Sequence, residues 1–188
     1  SLAVYSLKRV VKQYPTEMKA VLLAIINNPA ENADVRIAAV SVLPWAQPTF
    51  AELQKIAVRS WYDPSEQVSS FARSTFISLL YTEIPELRAV GMKARGVMHM
   101  FKPVHYGLQY SKNIHLSTFV EYLLGTVSTK VAFATSKREL APTMLAMTTN
   151  LYLQTLESGV MVKLSSFSAY TQGVEMVIDH VLKTMEYL

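Results

Sequence analysis

The chain contains no cysteine among its 188 residues. Disulfides and thiol chemistry are therefore excluded from this segment, although the compartment stays open because secreted proteins also contain cysteine-free domains. Charge is scarce too: 17% of residues are Asp, Glu, Lys or Arg, against 51% hydrophobic. That balance excludes a disordered chain. It also makes a self-sufficient solvent surface hard to build, which points to cover from another domain, a partner or a ligand. No uncharged run reaches the length of a transmembrane span. No Asn-x-Ser/Thr sequon is present, and the start lacks the basic-then-apolar order of a signal peptide. Both ends read as interrupted helix, as in a piece of a longer polypeptide.

The chemistry of an active site is equally thin. His99, His105, His115 and His180 are the only histidines, and none stands at metal-ligand spacing from another His, Asp or Glu on a helix. Serines cluster at Ser165, Ser166 and Ser168 without a Gly-x-Ser-x-Gly elbow. There is no Gly-rich phosphate loop, and carboxylates are too few to suggest a hydrolytic pair. These absences predict neither an enzyme nor a metal site. The net charge of +4 is spread along the chain without a basic stripe or a reading motif, so nucleic acid is not an expected partner.

What the chain does have is a change of period near residue 104. Before it, apolar residues recur every three to four positions; after it, apolar and polar residues alternate. Residues 2–13 form the first helical pattern. Thr16 is read as the cap of a second, carrying Met18 to Ile26 and stopping at Asn27-Asn28-Pro29. Asp34 opens a third, ending before Pro44. Thr49 caps a fourth, Pro64-Ser65-Glu66 opens a fifth and Pro85 opens a sixth that runs to Phe101. Asn28-Pro29 followed by Asp34-Val35-Arg36-Ile37-Ala38-Ala39 is echoed by Asp63-Pro64 followed by Gln67-Val68-Ser69-Ser70-Phe71-Ala72. The echo has the offset of a helix-pair repeat, which favours a curved solenoid over a plain helical bundle.

Past residue 104, His105–Tyr110 reads as an extended linker or an edge strand. Ile114–Tyr122 fits strand or helix equally. Three clearer strands follow. Val127, Thr129, Val131, Phe133 and Thr135 share one face, and Ser128, Lys130, Ala132 and Ala134 the other. Leu145, Met147, Thr149, Leu151 and Leu153 likewise oppose Met144, Ala146, Thr148, Asn150 and Tyr152. Val160, Val162 and Leu164 oppose Met161, Lys163, Ser165 and Phe167. Short turns between them predict an antiparallel meander. Val174–Leu188 returns to helical spacing. The fold class is thus α+β: a helical hairpin solenoid over 1–104, an antiparallel sheet over 105–173 and a short terminal helix over 174–188. One sheet face is nearly all apolar and the other small and mixed. Strand parity groups the residues but does not say which face meets the helices.

Three stretches together resemble the large lipid transfer proteins: vitellogenins, apolipophorins, apolipoprotein B and the microsomal triglyceride transfer protein. Ala33–Val40 and Asp63–Ala72 look like that family's solenoid. Tyr110-Ser111-Lys112, Leu124-Gly125, Leu140-Ala141-Pro142, Gly159 and Gly173 follow the order of its next sheet. An invertebrate vitellogenin or apolipophorin is the expected kind of member. The resemblance implies non-covalent carriage of phospholipid and neutral lipid in a secreted, extracellular lipoprotein such as a yolk precursor. Lipids, the remaining domains of the same polypeptide and a homodimeric copy are the partners it implies. It makes Val127, Val131, Phe133, Leu145, Met147, Leu151, Leu153, Val160 and Val162 the candidate lipid-facing residues. Lys93, Arg95 and Lys102, beside Met92, Met98 and Met100, read either as a headgroup-binding helix face or as a solvated one. The alternative to lipid carriage is a helical-repeat scaffold that binds a protein on its concave face.

Overall fold

The computed structural model describes residues 7–107, 109–135, 144–154 and 159–170, with side chains of the last stretch described at Val162 and Leu164. The expected helix at 174–188 lies outside the described residues. The helices are α1 (Lys8–Gln13), α2 (Pro15–Asn27), α3 (Ala33–Val42), α4 (Phe50–Arg59), α5 (Glu66–Leu80) and α6 (Pro85–Val97). Local chemistry sets their starts. Thr49 and Glu52 close a full capping box on α4. Ser65 caps α5 through the Val68 N–H, and Pro85 occupies the first turn of α6. Two expected starts differ. Pro15, not Thr16, begins α2, because its fixed φ suits the first helical position and no side chain caps that end. Asn32 caps α3 by accepting from the Asp34 N–H at 2.8 Å, slightly earlier in the chain than expected. The sixth helix also stops at Val97; a 3₁₀ turn, Met98–Met100, then swings Phe101 onto Phe76, ring edge to face at 5.0 Å.

Adjacent helices pack as hairpins, α2 on α3 and α5 on α6, while α3 lies along α5 and α4 along α6. The core between them holds Leu22, Ile26, Ile37, Leu53, Phe71, Phe76, Leu79, Leu87 and Val90. A buried clip joins the two echoed stretches. Arg36 donates to the Ile26 carbonyl from Nε (3.0 Å) and from its Nη2 (2.8 Å), and grips both oxygens of Asp63. The repeat-like echo thus marks a contact between neighbouring hairpins.

Residues 102–107 and 109–110 belong to a linker and not to a strand. The sheet is β1 (Lys112–Val120), β2 (Gly125–Ala134), β3 (Met144–Gln154) and β4 (Gly159–Tyr170), in the order β1-β2-β3-β4 and antiparallel throughout. The undecided Ile114–Tyr122 stretch is therefore mostly strand. A register shift between Thr149 and Asn150 makes Leu164 the extra residue of a bulge in β4. The β1–β2 turn is tight and places Leu124 in left-handed backbone, φ 43°.

The sheet joins the helices through the edge of β1. Ser74 Oγ accepts from the Asn113 N–H at 2.9 Å. Ser78 Oγ donates to the Asn113 carbonyl at 3.0 Å and accepts from the His115 N–H at 3.1 Å. Asn113 Nδ2 donates to Thr75 Oγ1 at 3.0 Å. Helix hydroxyls thereby satisfy strand groups that an open edge would leave for another chain. At the helix start, Gln67 Oε1 accepts from the Ser111 N–H, the Ser111 hydroxyl and the Thr135 hydroxyl, at 2.6, 2.8 and 3.1 Å.

Candidate functional site

The docking of β1 on α5 decides which side of the sheet is covered. Asn113, His115 and Ser117 lie towards the helices, and the register aligns them with Ala132, Lys130 and Ser128. The same face continues through Ala134, Thr126, Met144 and Asn150, all buried. The covered face is therefore the small, mixed one. Ser74, Thr75 and Ser78 let α5 approach the edge of β1 closely, because their hydroxyl-bearing side chains are short.

The other face is turned away from the helices and carries the apolar set. Cross-strand rows run Ile114–Val131–Met147, Thr118–Val127–Leu151–Val162 and Gly125–Leu153–Val160, with Phe133 opposite Leu145. Every candidate lipid-facing residue falls in these rows. Ile114 (40%), Leu116 (67%), Met147 (42%) and Leu164 (55%) are openly exposed, while Val127, Val131, Phe133, Leu151 and Leu153 are shielded in part by their neighbours. Strand lengths and spacings give the whole face, its threonines included, an area of about 600 Å². Two of its polar residues satisfy each other, since the Thr129 and Thr149 hydroxyls bond at 3.2 Å. At one end Lys112 turns back, donating to the Tyr106 carbonyl at 2.8 Å.

The functional feature that sequence reasoning missed is the stripe Gln67, Ser74, Ser78 on α5. Its signal was present as polar residues at helical spacing, but such a stripe ordinarily reads as a solvated face. The basic set on α6 is not one surface. Lys93 reaches inward to the Pro48 carbonyl at 3.1 Å, and Met98 and Met100 pack on the core. Met92 and Arg95 remain exposed. The headgroup-binding reading loses its leading lysine to an internal contact.

Residues 1–77 match the family model described as the vitellogenin TPR domain. The chain is 30% identical over 128 residues to a vitellogenin of Ichthyomyzon unicuspis, 67% of this chain and 7% of that protein. The chain belongs to the vitellogenin family of large lipid transfer proteins. Vitellogenin-1 of Gallus gallus is 28% identical over 144 residues, 76% of this chain and 8% of that protein. A solved structure of lipovitellin, described by its lipid–protein interactions, shares the fold with a TM-score of 0.82 over 94% of this chain and 18% of that chain, at 24% identity. This vitellogenin-family segment thus spans less than a tenth of the length of the two vitellogenin relatives. Among its described residues no helix is long and apolar enough to cross a membrane, and no cluster of His, Asp and Glu could hold a metal ion.

The covered face has a titration of its own. Burial, with Lys130 and Lys8 nearby, pushes the His115 ring from 6.5 down to about 4. Its neutral form is held under the helices while the unfolded chain takes up a proton near pH 6.5. Folding stability is therefore full above that pH and falls as the pH drops towards 4. The free energy linked to that proton uptake makes the loss about 3 kcal/mol. Urea unfolding of the full-length protein in phosphate-free buffers between pH 7 and 4 should show this slope, and His115→Asn should flatten it. Equal slopes in both proteins would remove His115 as the source.

Proposed function

We propose that this segment carries lipid non-covalently, its sheet forming one wall of an apolar cavity within a secreted lipoprotein. The observation that carries the reading is the open apolar face, with the hydroxyl-bearing face folded against the helices. A sheet built for a water-facing exterior would place its charged or small residues outward. Here acyl chains can cover Val127, Val131, Phe133, Leu145, Met147, Leu151, Leu153 and Val162 at about 25 cal/mol per Å² removed from water, with Val160 continuing the row beside Leu153. Met147 can adapt to cargo of different shapes, which suits both phospholipid and neutral lipid. The helices brace the back of the wall, residues 105–173 act as the cavity unit, and the remaining domains of the larger polypeptide close the cavity. Without lipid, the same face would drive self-association, which is how a homodimer enters this reading. Binding and transport need no catalytic group, and family membership supports a carrier over an enzyme.

The test is photocrosslinking. Full-length protein from its natural source is loaded with phosphatidylcholine bearing a diazirine in one acyl chain, irradiated and mapped by peptide mass spectrometry. Label should concentrate on outward positions of residues 114–164, and organic extraction should recover stoichiometric lipid. Label confined to the helices, or a folded lipid-free protein, would favour the protein-binding scaffold.

A further inference from the structure

Lys130 stands on the covered face of the sheet, directly across from His115 in the β1–β2 register. Two nitrogen bases thus face each other on adjacent strands, an arrangement that is unfavourable when both are charged. The His115 ring bonds the Ser128 hydroxyl, and Ser128 is fully buried. Among the described residues Lys130 Nζ has one hydrogen-bond contact, to the Ser41 carbonyl at the end of α3, and that contact is long at 3.5 Å. No described carboxylate bonds either residue. The Lys130 side chain is partly buried on this face. Burial pushes its ammonium down to about 8, so at neutral pH the charge is still largely present. A partly buried ammonium whose described hydrogen bond is this long is poorly compensated, and an anion that displaces water would offset that cost.

We infer that the seam between α3 and the covered sheet face is an oxyanion site, in which Lys130, the His115 ring and the Ser128 hydroxyl bind a phosphate group. Lys130 supplies the charge. Ser128 and His115 supply hydrogen bonds, with His115 taking up a proton when the anion arrives. The Lys8 charge on α1, close enough to depress His115, adds to the attracting field. The site lies on the side of the sheet opposite the proposed lipid wall, so it does not depend on that reading.

The experiment is hydrogen exchange on the full-length protein at pH 7. Inorganic phosphate at millimolar concentration is compared with sodium chloride at matched ionic strength, and peptides covering residues 112–134 are followed. Phosphate is expected to slow their exchange several-fold. Lys130→Met, which keeps the aliphatic stem, should abolish the difference, and Lys130→Arg should retain it. A parallel arm uses dihexanoyl phosphatidic acid below its micellar concentration. Protection by inorganic phosphate identifies a free oxyanion as ligand, whereas protection by the phosphatidic acid alone identifies a lipid headgroup. Equal protection in the wild type and Lys130→Met, or none with either compound, would overturn the site. Loss or recovery of bulk lipid leaves the result unchanged, which separates it from the cavity-wall reading.

Discussion

Arg36→Ala should destabilise the helical half by about 3–5 kcal/mol, the usual consequence of removing one partner from a buried ion pair. Arg36 is 1% exposed and the Asp63 side chain 3%. Alanine would strand the Asp63 carboxylate and leave the Ile26 carbonyl without its two donors. The remaining contacts of Asp63, with the Ser65 N–H at 2.9 Å and Arg59 at 3.3 Å, soften but do not replace the loss. Urea unfolding followed through the helical signal of the full-length protein measures it. The double variant Arg36→Met with Asp63→Asn should recover part of the stability, because no charge is then left unpaired. A loss below about 1 kcal/mol in the single variant would mean that the clip is no stronger than an exposed pair. The same pair sets an acid limit. Burial by itself raises the Asp63 carboxyl, but the Arg36 hydrogen bonds, the Ser65 N–H and the Arg36 charge outweigh it and hold it below the usual 3.8. Its contribution is therefore present above pH 3.8 and lost as the pH falls through the lower folded value. That window lies below the one set by His115, so the two groups lower stability in successive pH ranges.

Met147→Glu combined with Leu151→Glu should strip the full-length protein of most lipid held at this wall while leaving the segment folded. Met147 is openly exposed and Leu151 partly so on the face away from the helices, so neither carboxylate is forced into the protein core. Against acyl chains, however, each carboxylate must be desolvated or protonated, at a cost of several kcal/mol. The expected result is at least a tenfold fall in label crosslinked to residues 144–164, with the helical signal retained. Ala132→Glu is the counterpart on the opposite face. Ala132 is 1% exposed, so the added side chain should break the seam itself and lower stability. If the outer double variant keeps its crosslinking yield, the apolar face is not a lipid wall.

The contrast between these substitutions also separates what was legible in the residues from what was not. Alternation along 125–134 and 144–154 is a local property, because side chains of an extended chain must point to opposite sides in turn. Val131 and Met147 could therefore be assigned to one face, and Ala132 and Ala146 to the other, without coordinates. The capping box of Thr49 and Glu52, and the proline starts at Pro15 and Pro85, are equally local, although Pro15 displaced the expected Thr16. The stretch at Ile114–Tyr122 was ambiguous for the same reason: its alternation is short, and only pairing with β2 makes it a strand.

The sequence by itself determined most of the order of helices and strands and the membership of each face of β2 and β3, while the bulge at Leu164 shifts the expected grouping of β4. Tertiary structure alone decided the direction of those faces. A sheet can be turned over without changing its internal pairing, so strand parity carries no information about what lies above or below. The deciding contacts are Ser74 and Ser78 on the edge of β1 and Gln67 on Ser111, between residues 35 to 44 positions apart. Those polar groups reach the strand only once the helices have packed, and in docking they leave Val127, Val131 and Met147 facing outward.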